Sequence, residues 1–189
     1  MAKIKAQMKG ADRVITGMVR LSFPYLFEKR TNEDGSEGKY EACLLIDKSD
    51  KDTVECINKA IEAAQARGLK EKWAGKLPKK LQLPLNDGDD RDDDLEGFAG
   101  HYYMNAKSKI RPNVVDKHLA KIIDPEEVYA GCYVIAAVSF YPYNTNSNGI
   151  GVSLDSIMKI KDGEAFAGKP SAEADFGGLD IDDDDDDDL

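Results

Sequence analysis

Residues 129–143, YAGCYVIAAVSFYPY, and 150–160, IGVSLDSIMKI, limit what this chain can fold into more than any other stretch. Both alternate with the period of two that sends successive side chains to opposite faces of a β-strand. In the first run Cys132, Val134, Ala136, Val138 and Phe140 share one face, and Tyr133, Ile135, Ala137, Ser139, Tyr141 and Tyr143 share the other. That second face starts apolar and ends in a serine and two tyrosines, as a strand does when it emerges from cover onto an exposed platform. In the second run Ile150, Val152, Leu154, Met158 and Ile160 alternate with Gly151, Ser153, Asp155 and Lys159. Residues 144–149 form a turn in which Asn148-Gly149 favours positive backbone angles, so the two runs should pair as a hairpin. A lone hairpin is marginal in water, and its apolar face requires further strands.

Those strands are legible upstream. Residues 14–23 alternate, with Ile15, Val19, Leu21 and Phe23 on one side and Thr16, Met18, Arg20 and Ser22 on the other, and Pro24 is expected to end the strand. In residues 39–47 Tyr40, Ala42, Leu44 and Ile46 form one face, while Cys43 and Leu45 make the other apolar too, which predicts cover on both sides. A turn-rich loop with Asn32, Asp34, Gly35 and Gly38 lies between them. One helix is predicted next: Ser49 as cap with Asp52 three residues on, a stripe of Val54, Ile57, Ile61 and Ala64, and Gly68 as the stop. Residues 69–80 are basic around the single tryptophan, Trp73, which reads first as a core anchor and second as a minor stacking candidate. Residues 113–123 read as a short helix or irregular connection.

Residues 101–112, HYYMNAKSKIRP, form the remaining strand. Tyr102, Met104, Ala106 and Ile110 make a core face. His101, Tyr103, Asn105, Lys107 and Lys109 make the other, with Arg111 just beyond. An aromatic ring, an amide and a row of cations suit a nucleic-acid strand, whose bases stack on rings while cations follow its phosphates. The alternative is an ordinary solvated strand face with a tyrosine on it.

The elements predict a mainly β domain with an inserted helix (α+β), arranged as a five-stranded OB-fold-like antiparallel barrel with elaborated loops. There is no βαβ rhythm, and a β-sandwich fits the same strand count. Residues 1–171 form this domain, and residues 172–189 a disordered acidic tail. The net charge of −10 conceals that division. Residues 172–189 hold ten acids and no base, which leaves 26 acids against 26 bases. A second block, residues 87–96, holds seven acids and one base, and without it the remainder is +6. An acidic chain with a basic body does not exclude a nucleic-acid partner. The second block fails the EF-hand spacing in both registers, so it reads as a mobile solvated loop rather than a calcium site.

Catalytic chemistry finds little support. No Gly-rich phosphate loop, GxSxG or Cys/His metal spacing is present, and Cys43, Cys56 and Cys132 are predicted to be buried reduced thiols. No cofactor or metal is expected. No apolar run is long enough for a membrane helix and residues 1–10 lack a signal peptide's apolar region, which predicts a cytoplasmic protein with no membrane partner.

Three segments together carry a resemblance: GHYYMNAKSKIRPNVVD (residues 100–116), DPEEVYAGCYVIAAVSFYPY (124–143) and GIGVSLDSIMKIKDGE (149–164), with SFPYLFE and KYEACLLIDKSD upstream. The order of these segments resembles that of bacteriophage single-stranded DNA-binding proteins of OB-fold type. The resemblance implies non-enzymatic, largely sequence-independent binding of single-stranded DNA in phage replication or recombination, within the cytoplasm of a host bacterium. The aspartate run Asp182, Asp183, Asp184, Asp185, Asp186, Asp187 and Asp188 resembles the acidic tails of such proteins, which regulate DNA access and recruit replication or recombination enzymes. It ends on Leu189, not the aromatic usual in bacterial tails. A homodimer is compatible with this reading.

From the face assignments, Tyr103, Tyr141 and Tyr143 are expected to stack on bases, and Arg20, Lys107, Lys109 and Arg111 to contact phosphates. The rival class is an acidic interaction or chaperone protein whose tail binds basic partners. A metal-dependent nuclease is a third.

Overall fold

The computed structural model describes residues 4–166 and 175–179. Its elements are β1 (Gln7–Met8), β2 (Arg13–Ile15), β3 (Val19–Tyr25), β4 (Tyr40–Asp47), α1 (Lys51–Glu71), β5 (Asn86–Asp87), β6 (His101–Ser108), β7 (Asn113–Val115), β8 (Tyr133–Tyr143) and β9 (Gly149–Lys161). Strand β3 pairs with β4 and β4 with β6, both antiparallel; β6 meets β9 in parallel; β9 pairs with β8, which returns to β3. The ladder closes into a five-stranded barrel of the OB type, so the barrel expectation holds over the sandwich.

The inward faces are largely those that the alternation predicts. Leu21, Leu44, Ile46, Met104, Val134, Ala136, Val138, Phe140, Val152 and Leu154 are buried in one core. Each large aliphatic side chain there contributes about 1.5–3 kcal/mol. The β8–β9 hairpin forms as expected, over a turn of five residues. The two-sided cover of β4 is also present: Cys43 and Leu45 form a second apolar layer with Phe98, Tyr103 and Phe166 on the outside of the barrel. Burial there pushes the Cys43 thiol up to about 12. Cys43, Cys56 and Cys132 are all free, and Cys56 is only half-buried.

Several local expectations are corrected. Residues 14–23 are two strands, because the chain bends at Gly17 and Met18, just after Thr16, whose buried hydroxyl oxygen accepts from the Ala136 N–H at 3.0 Å. Pro24 does not end β3, which continues to Tyr25 through an irregular register; Phe23, at φ 44°, is thrown outward while Ser22 is buried. The cap of α1 is Asp50, whose carboxylate accepts from the Thr53 N–H, and Ser49 bonds back to Asp47. The helix runs through Gly68. The glycine is needed there for packing, since a Cβ would overlap the Trp73 ring and stand 2.8 Å from Pro142 Cβ. Trp73 is thus a core anchor. In β9 Asp155 is an extra residue, Ala137 pairing with Ser156 but Val138 with Leu154, so Ile157 rather than Met158 enters the core. β6 ends at Ser108, leaving Ile110 at 80% exposure, and the segment after it forms the short strand β7 beside β9 rather than a helix.

The acidic block of residues 87–96, expected to be a solvated loop, is held by ion pairs at Asp87, Asp89 and Asp93. Lys48 Nζ stands 2.7 Å from Asp87 and 2.6 Å from Asp89, and Arg91 pairs with Asp93 while lying over the Phe98 and Tyr103 rings. The aspartate run of the tail, Asp182 to Asp188, lies outside the described residues, as does most of residues 172–189. Among the described residues no helix is long and apolar enough to cross a membrane.

Candidate nucleic-acid interface

The outer surface of the barrel where β6, β9 and β8 lie side by side carries a groove of about 520 Å³. Its floor is set by register. Tyr141 pairs with Gly151 and Tyr143 with Gly149. Because the partners have no side chains, both tyrosine rings fold down across β9. A Cβ on Gly151 would stand 2.6 Å from Tyr141 Oη, and one on Gly149 would stand 2.7 Å from Tyr143 Cζ. On the far side β6 presents Asn105 and Lys107, and Lys39 comes from the approach to β4.

The near wall is the segment around Gln82. Its backbone is fastened to the hairpin turn, donating to the Asn148 carbonyl and accepting from the Ile150 N–H, each at 2.9 Å. Its side-chain oxygen accepts from the Tyr143 hydroxyl at 3.1 Å. Burial, with Tyr143 beside it, raises the Tyr141 phenol above its usual value. A phenol raised above about 10 stays neutral at physiological pH, as a stacking surface beside phosphates requires.

Two cations, Arg30 and Lys107, are arranged around one acid. Glu41 Oε1 accepts from Arg30 Nη1 at 2.9 Å, and its Oε2 lies 3.7 Å from Lys107 Nζ. Rings, amides and ammonium groups therefore converge on an open channel, which suits stacking of bases with the phosphates running along the cations.

Of the residues expected from sequence, the structure brings Tyr141, Tyr143 and Lys107 into this groove. Tyr103 is on the same strand, but its ring meets Phe98 edge-on at 5.2 Å and 68°, with the Arg91 guanidinium 5.0 Å from its centroid. Its open side borders a depression lined by Asp87, Asp90, Asp92 and Asp93. Arg20 faces the opposite edge of β3. It donates to the carbonyls of Gly131 at 2.9 Å and Glu164 at 2.6 Å, and lies over the rings of Phe166 and Tyr133. It thereby fastens the segment that follows β9. Lys109 and Arg111 fall in the loop between β6 and β7, with Arg111 over Phe27.

Lys39 and Gln82 are among the groove residues that sequence reasoning passed over. Lys39 shares parity with Glu41 and Cys43, so the period of two did carry its signal. Gln82 had none, since its position depends on a long-range bridge to Gly149.

Known proteins share this sequence pattern and fold. The sequence profile of the family described as the single-stranded DNA-binding protein of Enterobacter phage Enc34 matches residues 12–189. A protein designated p50, from Acyrthosiphon pisum secondary endosymbiont phage 1, is 36% identical over 160 residues, which is 79% of this chain and 84% of that one. The structure of the single-stranded DNA-binding protein from bacteriophage Enc34 in complex with single-stranded DNA is similar at a TM-score of 0.68 and 28% identity, over 88% of this chain and 100% of that one. The single-stranded DNA-binding protein gp2.5 of bacteriophage T7 matches at a TM-score of 0.60 over 90% of this chain and 98% of its own; at 19% identity that likeness is one of fold.

Proposed function

The chain belongs to the Enterobacter phage Enc34 family of single-stranded DNA-binding proteins, and from that premise we propose that it holds single-stranded DNA in the groove between β6 and the β8–β9 hairpin. The observation that carries this reading is the pair of rings, Tyr141 and Tyr143, laid over Gly151 and Gly149 beside Lys107. Every base has a π-face, so two such rings bind with little regard to sequence, at about 1–3 kcal/mol per stacked base. The groups lining the groove bind a strand rather than react with it, which supports a non-enzymatic role in phage replication or recombination inside the host cytoplasm. In the same reading the acidic tail, Asp182 to Asp188, regulates access to the DNA or recruits replication and recombination proteins.

The test is fluorescence anisotropy of labelled single-stranded and duplex oligonucleotides titrated with the full chain over a range of salt. A preference for the single strand that weakens with salt, by about 0.7 in log–log slope per phosphate contacted, is the expected result. Equal affinity for the duplex overturns the stacking groove. No binding to either favours the acidic interaction protein.

A further inference from the structure

The basic part of the loop between α1 and β5, residues 72–80, lies just before the segment around Gln82 that walls the groove. From Lys72 to Asn86 the chain has no acidic residue and four lysines, Lys72, Lys76, Lys79 and Lys80, all of them exposed. Among the described residues none of the four has a salt-bridge partner, whereas Arg30 and Lys107 share Glu41, and Lys48 and Arg91 are each held by aspartate.

Both ends of this loop are tied to the turn between β8 and β9. At its start the Lys72 carbonyl accepts from Asn144 Nδ2 at 3.1 Å, and Trp73 is buried against Gly68 and Pro142. At its end Gln82 pairs with the hairpin and meets the Tyr143 hydroxyl. Lys79 and Lys80 are three and two residues from Gln82, within about 10 Å of it along even a fully extended chain. The fold therefore holds a partnerless cationic loop at the rim on which Tyr143 stands.

We propose that this loop is a second part of the DNA track: a strand stacked on Tyr141 and Tyr143 continues over the rim and lays its next phosphates on Lys76, Lys79 and Lys80. The inference rests on the groove's proposed function and extends it. A phosphate reaching Lys107 competes with the carboxylate of Glu41, while one reaching the loop meets no such competitor and gains the full counterion release. The groove then supplies stacking together with Lys39 and Lys107, and the loop adds a further share of the salt dependence.

The experiment compares three full-length proteins: wild type, Lys79→Gln/Lys80→Gln, and Lys117→Gln/Lys121→Gln. The last removes two exposed lysines beside β7, which pairs with β9 at the end away from the groove. Affinities for oligonucleotides of about 4 and about 16 nucleotides are measured across salt, spanning the site sizes of single OB folds. For the longer strand the loop variant is expected to lose about 1.4 in log–log salt slope and roughly tenfold or more in affinity at about 0.1 M salt. The short strand should be bound nearly as by wild type, and the β7 variant should match wild type on both. An unchanged slope, or equal losses on short and long strands, overturns the proposal. So does an equal loss in the β7 variant, which would reflect net charge alone. Tighter DNA binding by the loop variant also overturns it, by showing that the loop holds the acidic tail instead. Failure of wild type to bind either strand is a different result, and refutes the groove itself.

Discussion

Lys107 and Glu41 are directly paired across the β4–β6 ladder, with the ammonium 3.7 Å from a carboxylate that also accepts from Arg30. The Glu41 side chain is only 14% exposed, against 51% for Lys107. A carboxylate fixed between two cations beside the proposed DNA groove occupies the position a phosphate would take. Glu41→Gln is expected to tighten single-stranded DNA binding by about 1.4- to fivefold, the worth of a surface pair of about 0.2–1 kcal/mol, and to steepen the salt slope by about 0.7. Weaker binding would show that Glu41 positions the two cations rather than competing with the DNA.

Gly151 tests the orientation of Tyr141 separately from its presence. A methyl group there would overlap the end of the tyrosine ring, which can swing away, so the fold should survive Gly151→Ala with its melting temperature little changed. The ring would no longer lie across β9. Affinity for single-stranded DNA is expected to fall about as far as in Tyr141→Ala, by about 1–3 kcal/mol, while Tyr141→Phe keeps most of it. Wild-type affinity in Gly151→Ala would mean that the flat ring is not the stacking surface.

Tyr103 sits in the outer apolar layer, against Phe98, Leu45 and Cys43. Truncating a ring packed this way leaves a cavity and forfeits an edge-to-face contact, so Tyr103→Ala should destabilise the protein by about 2–4 kcal/mol. Denaturant unfolding measures that loss. The folded fraction should bind DNA within about twofold of wild type. A stable variant with lost affinity would return Tyr103 to the binding face.

How far the sequence could be read follows from the range of each interaction. Alternation is local, so the inner faces of β4, β6 and β8 and the β8–β9 hairpin were legible. A bulge shifts everything beyond it by one, and nothing in the alternation announced Asp155 as the extra residue in β9 or the irregularity that turns Phe23 outward. The platform tyrosines were visible as the exposed end of a strand, but not the glycines beneath them, whose role depends on cross-strand register. Arg20 and Lys107 looked alike as outward cations; only the fold shows that one binds the carbonyls of Gly131 and Glu164 and the other lines the groove. The acidic block read as mobile because its partner, Lys48, lies 41 residues from Asp89 in sequence.

That clamp predicts an acid limit to stability. The hydrogen bond from Lys48 comes first, then those from backbone N–H groups, in holding Asp87 and Asp89 below the usual carboxylate value of 3.8. Lys48 is in turn raised above its usual 10.5 by the two aspartates. For carboxyls lowered in the folded state, the unfolded chain binds more protons as pH falls. Their contribution is therefore complete above 3.8 and is lost as pH drops through the lower folded values. For Lys48 the sign reverses: its contribution is complete below 10.5 and fades only as pH rises through a higher folded value. Between those limits the clamp is independent of pH. Lys48→Met removes it, so the variant should melt below wild type at neutral pH, and the two curves should converge as pH falls below 3.8. Asp93, lowered by Arg91, remains in the variant, so some acid sensitivity persists there. A gap between the two proteins that stays constant down to the acid limit would mean that Lys48 acts through its packing on the Tyr102 ring, 5.3 Å away, and not through its charge.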